Sequence, residues 1–374
     1  MTRPPAHRIH GLDTLRALAV TLVVLHHYVL FVSDAPTFGW VGEIGWVGVD
    51  LFFALSGYLI GNQIFGGLYG SAGFSPGRFY ARRLLRTLPN FWAVLALYVL
   101  WPAFRGDAPL LPLWRYLSFT QNIGLEPGTA FSHAWSLCIE EQFYLLLPAL
   151  VLLAAALRAR RRLAWTAIGA AFGLGMAVRW QVWSAMPAGE GALHHYYKFI
   201  YYASLCRFDE LLAGVALALF KHQQRAAWLV AMRHGNKMLA AGAVVLACVL
   251  PLFLADRYGA IATVLGYPLL ALGCSLLILA ALAPGSLLHR VRVPGAASLA
   301  LWSYALYLVH KQVCVMVAAR LAPAGYGAGD WRTIALSLAA SLLAGWLLYR
   351  LVETPFMALR TRWVPADAPR AAGA

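Results

Sequence analysis

The sequence predicts an all-α, polytopic integral membrane protein, and three observations support this fold class. Hydrophobic side chains make up 61% of the 374 residues and charged side chains only 12%, which is more apolar surface than a soluble domain of this size can bury. Apolar runs of about 20 residues recur along the chain. The basic residues behind the formal net charge of +15 lie in short clusters between these runs, which indicates membrane topology. We therefore expect membrane lipids, and no nucleic acid, as partners.

About ten apolar segments are predicted to be transmembrane helices. They lie near residues 11–33, 46–66, 88–104, 135–157, 163–184, 199–220, 237–255, 260–283, 298–320 and 332–352. No A-x-A cleavage site follows the first segment, so we interpret it as a mature helix and not as a signal peptide. Because only a short tail follows the last segment, we expect any chemistry to be built from the helices and their connecting loops.

The basic residues predict the orientation of the chain. With a cytoplasmic N-terminus, 19 of the 30 lysines and arginines fall in cytoplasmic tails and loops and 6 on the outer side. Every cytoplasmic loop then carries at least two of them. The positive-inside rule therefore predicts a multi-pass protein of the cell (inner) membrane with both termini in the cytoplasm.

The first apolar segment contains ionisable residues, which cost roughly 2.5–3.5 kcal/mol each inside a bilayer and so indicate function or pairing. Asp13, Arg16 and His27 share one face of the predicted helix, and Arg16 and His27 lie roughly 16 Å apart along its axis. His26 points about 100° away from that face. The alternative is structural: Arg16 extends to the interface and His27 bonds a neighbouring helix.

An arginine cluster follows the second segment, in the sequence FYARRLLRTLP. Arg83 and Arg86 are three residues apart on one side of a helix start, and Arg82 is adjacent. Guanidinium groups spaced in this way suit a phosphorylated ligand, since each can bind phosphate oxygens through two hydrogen bonds. Positive-inside topology or binding of anionic lipids explains the same residues equally well.

The fourth segment opens with FSHAWSLCIEEQFYLLLP. His133, Ser136 and Glu140 are spaced by three and four residues, so they occupy one helix face near its outer end. The alternative is a helix start capped by Ser132, with Glu140 bonded to a neighbouring helix.

Three further polar sites interrupt apolar segments. Asp50 is predicted at the outer rim, where it could pair with an Arg or a His. Arg207 is flanked by acidic residues, which favours an internal ion pair. His310 is either a hydrogen-bonded core histidine or a ligand contact. The five cysteines lie inside apolar runs without CxxC or zinc-type spacing, so we read them as small hydrophobic residues and expect no metal site.

Seven sequence pieces, taken together, resemble the acyltransferase-3 family of multi-pass membrane acyltransferases. They run in order from Gly11 to Arg360: GLDTLRALAVTLVVLHHY, GVDLFFALSGYLI, FYARRLLRTLPNFW, HAWSLCIEEQFYLLLP, RFDELLAG, SYALYLVH and ETPFMALR. The resemblance implies a ten-helix domain over residues 1–360 with a short cytoplasmic tail at 361–374, in the stand-alone form without an SGNH-type domain. It also implies O-acylation of a carbohydrate, glycolipid or lipid-linked glycan acceptor in the envelope by cytoplasmic acyl-CoA, with acetyl-CoA as the favoured donor.

The resemblance also assigns residues. The Arg and His of the family's first helix fall on Arg16 and His27, its RxxR motif on Arg83 and Arg86, and the acid of its SLxxE element on Glu140. Two positions depart from the family pattern. His26 stands where an aromatic residue is usual, and HKQV follows segment nine where HWP is common, which leaves the role of His310 open.

These assignments combine into one hypothesis for the mechanism. Arg83 and Arg86, with Arg82, hold the phosphates of acyl-CoA, and His27 acts as general base on the acceptor hydroxyl, because the pKa of imidazole suits proton transfer near neutral pH. Asp13 or Glu140 orients the imidazole, and Arg16 balances charge beside the thioester. The candidates for substrate contacts are Ser136, His133, Asp50, Arg207 and His310. Direct transfer and an acyl-enzyme intermediate both remain open.

A function from another class explains some of the same residues. In a transporter or flippase for a glycan or an acylated intermediate, His27 and Glu140 would form a proton relay. Inverted repeats would support transport, and the sequence shows none.

Overall fold

Ten long helices carry the fold in the computed structural model, which describes residues 8–70, 73–157, 161–189 and 191–365. They are α1 (His10–Tyr28), α2 (Val47–Tyr69), α3 (Pro76–Leu100), α4 (Trp135–Ala156), α5 (Arg161–Ser184), α6 (Asp209–Gln223), α7 (Gly235–Asp256), α8 (Tyr267–Leu282), α9 (Ala296–Leu321) and α10 (Trp331–Leu348). Each corresponds to one predicted segment, and the described residues contain no β-strand. The prediction of an all-α, polytopic membrane protein is confirmed.

Shorter helical pieces connect or extend the long helices. They are Val29–Ser33, Gly39–Ile44, Pro102–Arg105, Leu113–Leu117, Ser132–Ala134, Gly191–Tyr196, Tyr197–Tyr201, Ser204–Cys206, Arg225–Arg233, Ala262–Gly266, Leu287–Arg290, Ala322–Ala324, Tyr349–Glu353 and Thr354–Trp363. The last two continue α10 beyond the predicted end at residue 352 and across the predicted start of the tail at 361. Residues 366–374 of that tail, and Arg3, Arg158, Arg160 and Arg370 from the topology count, lie outside the described residues.

In the described ranges, eight helices, some with their extensions, are long and apolar enough to cross a bilayer. The two predicted segments that fall short are α3 and α6. α3 begins well before the predicted start at residue 88, because Ser75 caps it and Pro76 occupies its first turn. The arginine cluster therefore lies inside a helix and lowers its mean hydropathy.

α6 has only 15 residues, and the predicted segment 199–220 is interrupted in front of it. A π-helical turn at Tyr197–Tyr201 and a 3₁₀ turn at Ser204–Cys206 precede the helix. The irregular backbone brings Arg207 against Asp50 of α2. Irregular backbone at membrane depth is tolerated where it is buried in protein, as it is here.

Close backbone contact joins α2 to α6. A Cβ atom built on Gly57 would lie 2.0 Å from the carbonyl oxygen of Leu211, and one built on Gly214 would lie 2.2 Å from the carbonyl oxygen of Ala54. Only glycine permits helices to approach this closely, and small residues at crossings are typical of membrane helix pairs. The two glycines therefore fix the distance between α2 and α6.

Two buried ion pairs hold the irregular segment before α6. Arg207 donates to Asp50, and both side chains are fully buried. Arg179 of α5 donates to both carboxylate oxygens of Asp209 and, at 2.9 Å, to the carbonyl of Cys206. The predicted internal pairing of Arg207 is therefore present, with Asp50 as the partner. Asp50 is not at an exposed rim, and neither it nor Arg207 lines the pockets described below, so we reassign both from substrate binding to helix packing.

The connection between α3 and α4 ends in a constrained turn. Phe131 is fully buried and adopts a left-handed backbone conformation with φ of 56° immediately before Ser132–Ala134. The hydroxyl of Tyr116 donates to the carbonyl of Ala130 at 3.0 Å. Earlier in the same loop, a hydrogen bond from Lys198 to Glu126 lowers the pKa of the Glu126 carboxyl. These contacts fix the turn that presents His133 at the start of α4.

Substituting Gly57 with alanine should destabilise the protein by about 1–3 kcal/mol, because the added methyl group overlaps the backbone of α6. The matched control is Gly169→Ala in α5, where an added Cβ meets no atom within 4 Å. Thermal unfolding of the purified protein in detergent measures both variants. Equal stability of the two would contradict the packing described for α2 and α6.

Substituting Asp50 with asparagine should cost about 3–5 kcal/mol, because it leaves the buried Arg207 cation without its counter-ion. The double variant Asp50→Leu with Arg207→Leu should recover part of that loss, since it removes both charges. Thermal stability and membrane abundance test this. A stable Asp50→Asn protein with only a raised KM for its substrate would restore Asp50 to the substrate site.

Candidate active site

A pair of histidines joins α1 to α9 in the middle of the molecule. His27 Nδ1 lies 2.8 Å from His310 Nε2, and the two ring planes are 4° apart. His310 is fully buried and His27 is 9% exposed. The predicted hydrogen bond from His27 to a neighbouring helix is therefore present, and its partner is a second imidazole.

Hydrogen bonding determines which nitrogens carry protons when both rings are neutral. His310 Nδ1 lies 3.0 Å from the carbonyl of Leu306, and a carbonyl only accepts, so Nδ1 carries the proton. His310 Nε2 then accepts from His27 Nδ1. His27 Nε2 is left with its lone pair, and no described residue donates a hydrogen bond to it. A proton-accepting nitrogen is thus fixed in place by its partner ring.

A third histidine and a tyrosine complete this cluster. The ring of His133 lies 6.0 Å from that of His27, and its Nε2 donates to the carbonyl of Leu308 at 3.2 Å. The hydroxyl of Tyr307 donates to the carbonyl of His133 at 2.6 Å and accepts from Ser136 Oγ, also at 2.6 Å. We call the region around His27, His133 and His310 the histidine end of the bundle.

The adjacent histidine faces elsewhere. His26 Nδ1 donates to the carbonyl of Gly42 at 2.7 Å, which ties α1 to the short helix Gly39–Ile44. This agrees with the rotation of about 100° expected between neighbouring positions on a helix. His26 therefore has a packing contact of its own, although part of its ring lines a pocket at the histidine end.

A cavity of about 320 Å³ extends from the opposite side of the bundle towards the histidine cluster. Arg16, Arg83 and Arg86 line one part of it, and we call that side the arginine end. Ser136 and Tyr307 line the inner part, and the Tyr307 ring lies 6.5 Å from the ring of His27. Tyr307 thus separates the cavity from His27 by one aromatic ring.

The arginines of the cavity are held near acidic groups without forming ion pairs to them. Among the described residues, no carboxylate oxygen lies within ion-pairing distance of Arg16, Arg83 or Arg86. The guanidinium of Arg83 instead lies 4.0 Å above the centre of the Tyr144 ring. Three half-buried cations that face one cavity without paired carboxylates suit an anionic ligand.

Glu140 lies on the cavity wall and not beside the histidines. Ser56 Oγ donates to its Oε1 and Tyr144 OH donates to its Oε2, both at 3.0 Å. Together Ser136, Glu140 and Tyr144 follow one face of α4 along the cavity. Glu140 therefore does not orient His27.

Two other predicted site residues point away from the cavity. Asp13 pairs with Arg8 near the start of α1, so it does not orient His27 either. The residue hydrogen-bonded to His27 is His310. Arg82 donates to the carbonyl of Val364 and does not line the cavity. Asp13 and Arg8 are only five positions apart, whereas Arg82 contacts a residue far along the chain.

Sequence reasoning did not assign Ser56, Tyr144 or Tyr307 to the cavity, nor Arg257 to the histidine end. Tyr144 could have been found by extending the spacing of Ser136 and Glu140 by one more turn, whereas nothing local marked Ser56. Arg257 lines the pocket beside His27. Arg257 could have been found from the sequence as an isolated basic residue in a loop that the topology count assigns to the outer side.

Comparison with known proteins places this architecture in a family. The model of the acyltransferase-3 family, described as an acyltransferase domain, matches residues 9–350. No solved structure matches the fold significantly.

Several characterised or named relatives are similar to the chain. Peptidoglycan O-acetyltransferase OatA of Listeria monocytogenes is 27% identical over 95% of this chain and 56% of that protein. Putative peptidoglycan O-acetyltransferase YrhL of Bacillus subtilis is 32% identical over 57% of this chain and 33% of that protein. Putative membrane-bound transacylase BcsY of Komagataeibacter xylinus is 34% identical over 47% of this chain and 45% of that protein. The chain thus spans about half the length of these relatives or less.

The family match covers nearly all of the described helices, from the start of α1 to the end of α10, together with the histidine cluster and the arginine-lined cavity. It confirms the predicted enzyme class, an acyltransferase. The chain belongs to the acyltransferase-3 family of multi-pass membrane proteins.

Proposed function

We propose that the protein transfers an acetyl group from acetyl-CoA, bound at the arginine end, to a hydroxyl of an envelope glycan that approaches His27. The observation that carries this proposal is the cavity between the two ends. It begins at three unpaired guanidiniums and ends one ring away from a histidine whose Nε2 lone pair is available. An anionic carrier with a long acyl-bearing arm fits such a cavity.

The arginine end is the cytoplasmic side in this proposal. The positive-inside count supports it, because the cluster of Arg82, Arg83 and Arg86 near the start of α3 falls on that side. Both termini then lie in the cytoplasm of a cell whose inner membrane contains the protein. The donor enters from the compartment in which acetyl-CoA is made, and the acceptor comes from the other side of the membrane.

The arginines have a binding role in this mechanism. Arg83 and Arg86 hold the phosphates of the donor through charge-assisted hydrogen bonds. Arg16 also lines the cavity and lies on the same face of α1 as His27. It stabilises negative charge on the part of the donor nearer the thioester. Glu140 is already hydrogen-bonded to Ser56 and Tyr144, so its role is to hold the cavity wall beside Arg83.

His27 is the general base. Its Nε2 removes the proton of the acceptor hydroxyl as the hydroxyl oxygen attacks the thioester carbonyl. The C–S bond then breaks, and the departing CoA thiolate accepts that proton from His27. While His27 is an imidazolium ion, its Nδ1–H donates to His310 Nε2, and this charge-assisted hydrogen bond stabilises the cation. His310 is thus a positioning residue.

Direct transfer is the route that the contacts favour. An acyl-serine at Ser136 would need a base to remove the proton of its hydroxyl. Ser136 Oγ is bonded to the hydroxyl of Tyr307, and that hydroxyl donates to a backbone carbonyl. No histidine nitrogen is hydrogen-bonded to Ser136 Oγ in the ranges that the structure describes.

The acceptor is proposed to be a carbohydrate. Two of the relatives are named as peptidoglycan O-acetyltransferases, one of them as putative, and the third as a putative transacylase. Peptidoglycan or another glycan of the envelope, free or linked to a lipid, is therefore the acceptor class that we propose for this chain.

Arg83→Ala and Arg86→Ala should each weaken CoA binding by about 1.5–3 kcal/mol, because each removes a hydrogen bond to a charged phosphate. The matched control is Arg82→Ala, whose guanidinium contacts Val364 outside the cavity. Isothermal titration calorimetry with the purified protein measures all three. If Arg82→Ala costs as much as the other two, a diffuse positive surface and not a phosphate site binds the donor.

His27→Ala should lower acceptor acetylation by about 10²–10⁴-fold and leave CoA binding intact, because it removes the general base without touching the arginines. His26→Phe should retain most of the activity per folded molecule and lose about 1 kcal/mol of stability with its bond to Gly42. Acetyl transfer to isolated envelope glycan, followed by mass spectrometry, tests both variants. Activity in His27→Ala with loss in His26→Phe would show that the roles are exchanged.

A further inference from the structure

A second, narrow pocket lies at the histidine end, next to His27. Aromatic rings form most of its wall, including Trp46, Tyr201 and Tyr202. Its interior of about 20 Å³ holds on the order of one water molecule, so one oxygen atom of an anionic substituent fits in it while the sugar ring stays at the rim.

The pocket contains a cation without a counter-ion. The guanidinium of Arg257 lies 4.5 Å above the centre of the Trp46 ring and 5.2 Å above that of Tyr201. It forms no ion pair and donates no hydrogen bond within the described part of the chain, and its Nε is buried without a partner. A guanidinium is charged at every physiological pH, so this group carries a full positive charge into the pocket.

Two carboxylates on neighbouring elements are engaged elsewhere, and in the described residues no ion pair joins Arg257 to Glu210 or Asp256. Asp50 pairs with Arg207, and Asp209 pairs with Arg179. A second cation reinforces the positive field: Lys311 lies 3.9 Å above the Phe31 ring, and Phe31 lines the same pocket. The pocket is therefore electropositive, and its surroundings leave Arg257 to be neutralised by a ligand.

We propose that Arg257 determines acceptor specificity by binding an anionic group, a carboxylate or a phosphate, on the glycan that is acetylated. This inference rests on the proposed function, since it assigns the substrate class of the same site. The planar guanidinium can bind either anion through two hydrogen bonds, while the aromatic rim packs against the apolar face of the sugar. The anion then orients the sugar so that one hydroxyl faces His27 Nε2.

The test compares a neutral sugar acceptor with two anionic ones, a carboxylate at C6 and a phosphate at C1. Methyl glucoside, methyl glucuronide and glucose 1-phosphate are offered to the purified protein with labelled acetyl-CoA. Wild-type protein should show a higher kcat/KM for at least one anionic acceptor than for the neutral one, and the preferred anion identifies carboxylate or phosphate as the group. Arg257→Met should lower kcat/KM for that acceptor about 10–100-fold more than it lowers kcat/KM for methyl glucoside.

Two further variants keep the result interpretable. Arg257→Lys retains the charge without the forked geometry, so it should keep part of the preference and serves if the methionine variant fails to fold. Arg332→Met is the control, because Arg332 also lies over aromatic rings, those of Tyr326 and Trp331, but does not line the pocket. It should leave the preference unchanged.

Two outcomes would overturn the inference while acetyl transfer stands. One is equal kcat/KM of wild-type protein for neutral and anionic acceptors, and the other is an equal loss for both acceptors in a folded Arg257→Met protein. Failure of wild-type protein to bind acetyl-CoA would instead overturn the proposed function, and with it this assignment. CoA titration of each variant separates these cases.

Discussion

The hydrogen bond between His27 Nδ1 and His310 Nε2 is the constraint on which the site depends. It fixes α1 against α9, and it transmits the fixed proton position of His310, set by the carbonyl of Leu306, to the reactive ring. With the opposite proton arrangement, the lone pair of His27 would face its partner ring and not a substrate. Burying these imidazoles costs little free energy. A neutral ring whose nitrogens are hydrogen-bonded or solvated is tolerated inside a membrane bundle far better than a charged group.

The charged groups of the bundle divide into two classes, and this division is itself informative. Arg207 and Arg179 have buried carboxylate partners and hold helices together, since a buried charge without a partner is strongly destabilising. Within the part of the chain that the structure describes, Arg83, Arg86 and Arg257 have no such partners, and each lines a cavity or a pocket. An unpaired cation inside a membrane protein lowers its stability. Ligand binding therefore best explains why charges are present at these positions.

Tyr307 stands between the two binding regions. Its ring faces the histidines, and its hydroxyl bridges Ser136 to the carbonyl of His133, so α4 and α9 are joined where the arginine-lined cavity ends. A donor and an acceptor on opposite sides of a membrane can react at one base only if the barrier between them is thin. In the proposed mechanism this barrier is the Tyr307 side chain, so donor and acceptor meet at His27 although the bundle is closed between them.

The sequence by itself determined the features that depend on local geometry. Apolar runs predicted the helices, the 3.6-residue period separated His27 from His26, and the spacing of Arg83 and Arg86 predicted a shared face. Contacts between distant helices were decided by tertiary structure alone: His27 and His310 are 283 positions apart, and no local pattern relates them. Asp13 and Glu140 share their helix faces with other site residues but bond elsewhere. Asp13 pairs with Arg8, five positions before it, and Glu140 accepts hydrogen bonds from Ser56 of α2 and from Tyr144. Periodicity reports which residues lie on one helix face, whereas the face that a helix presents to its neighbours is set by packing of the whole bundle.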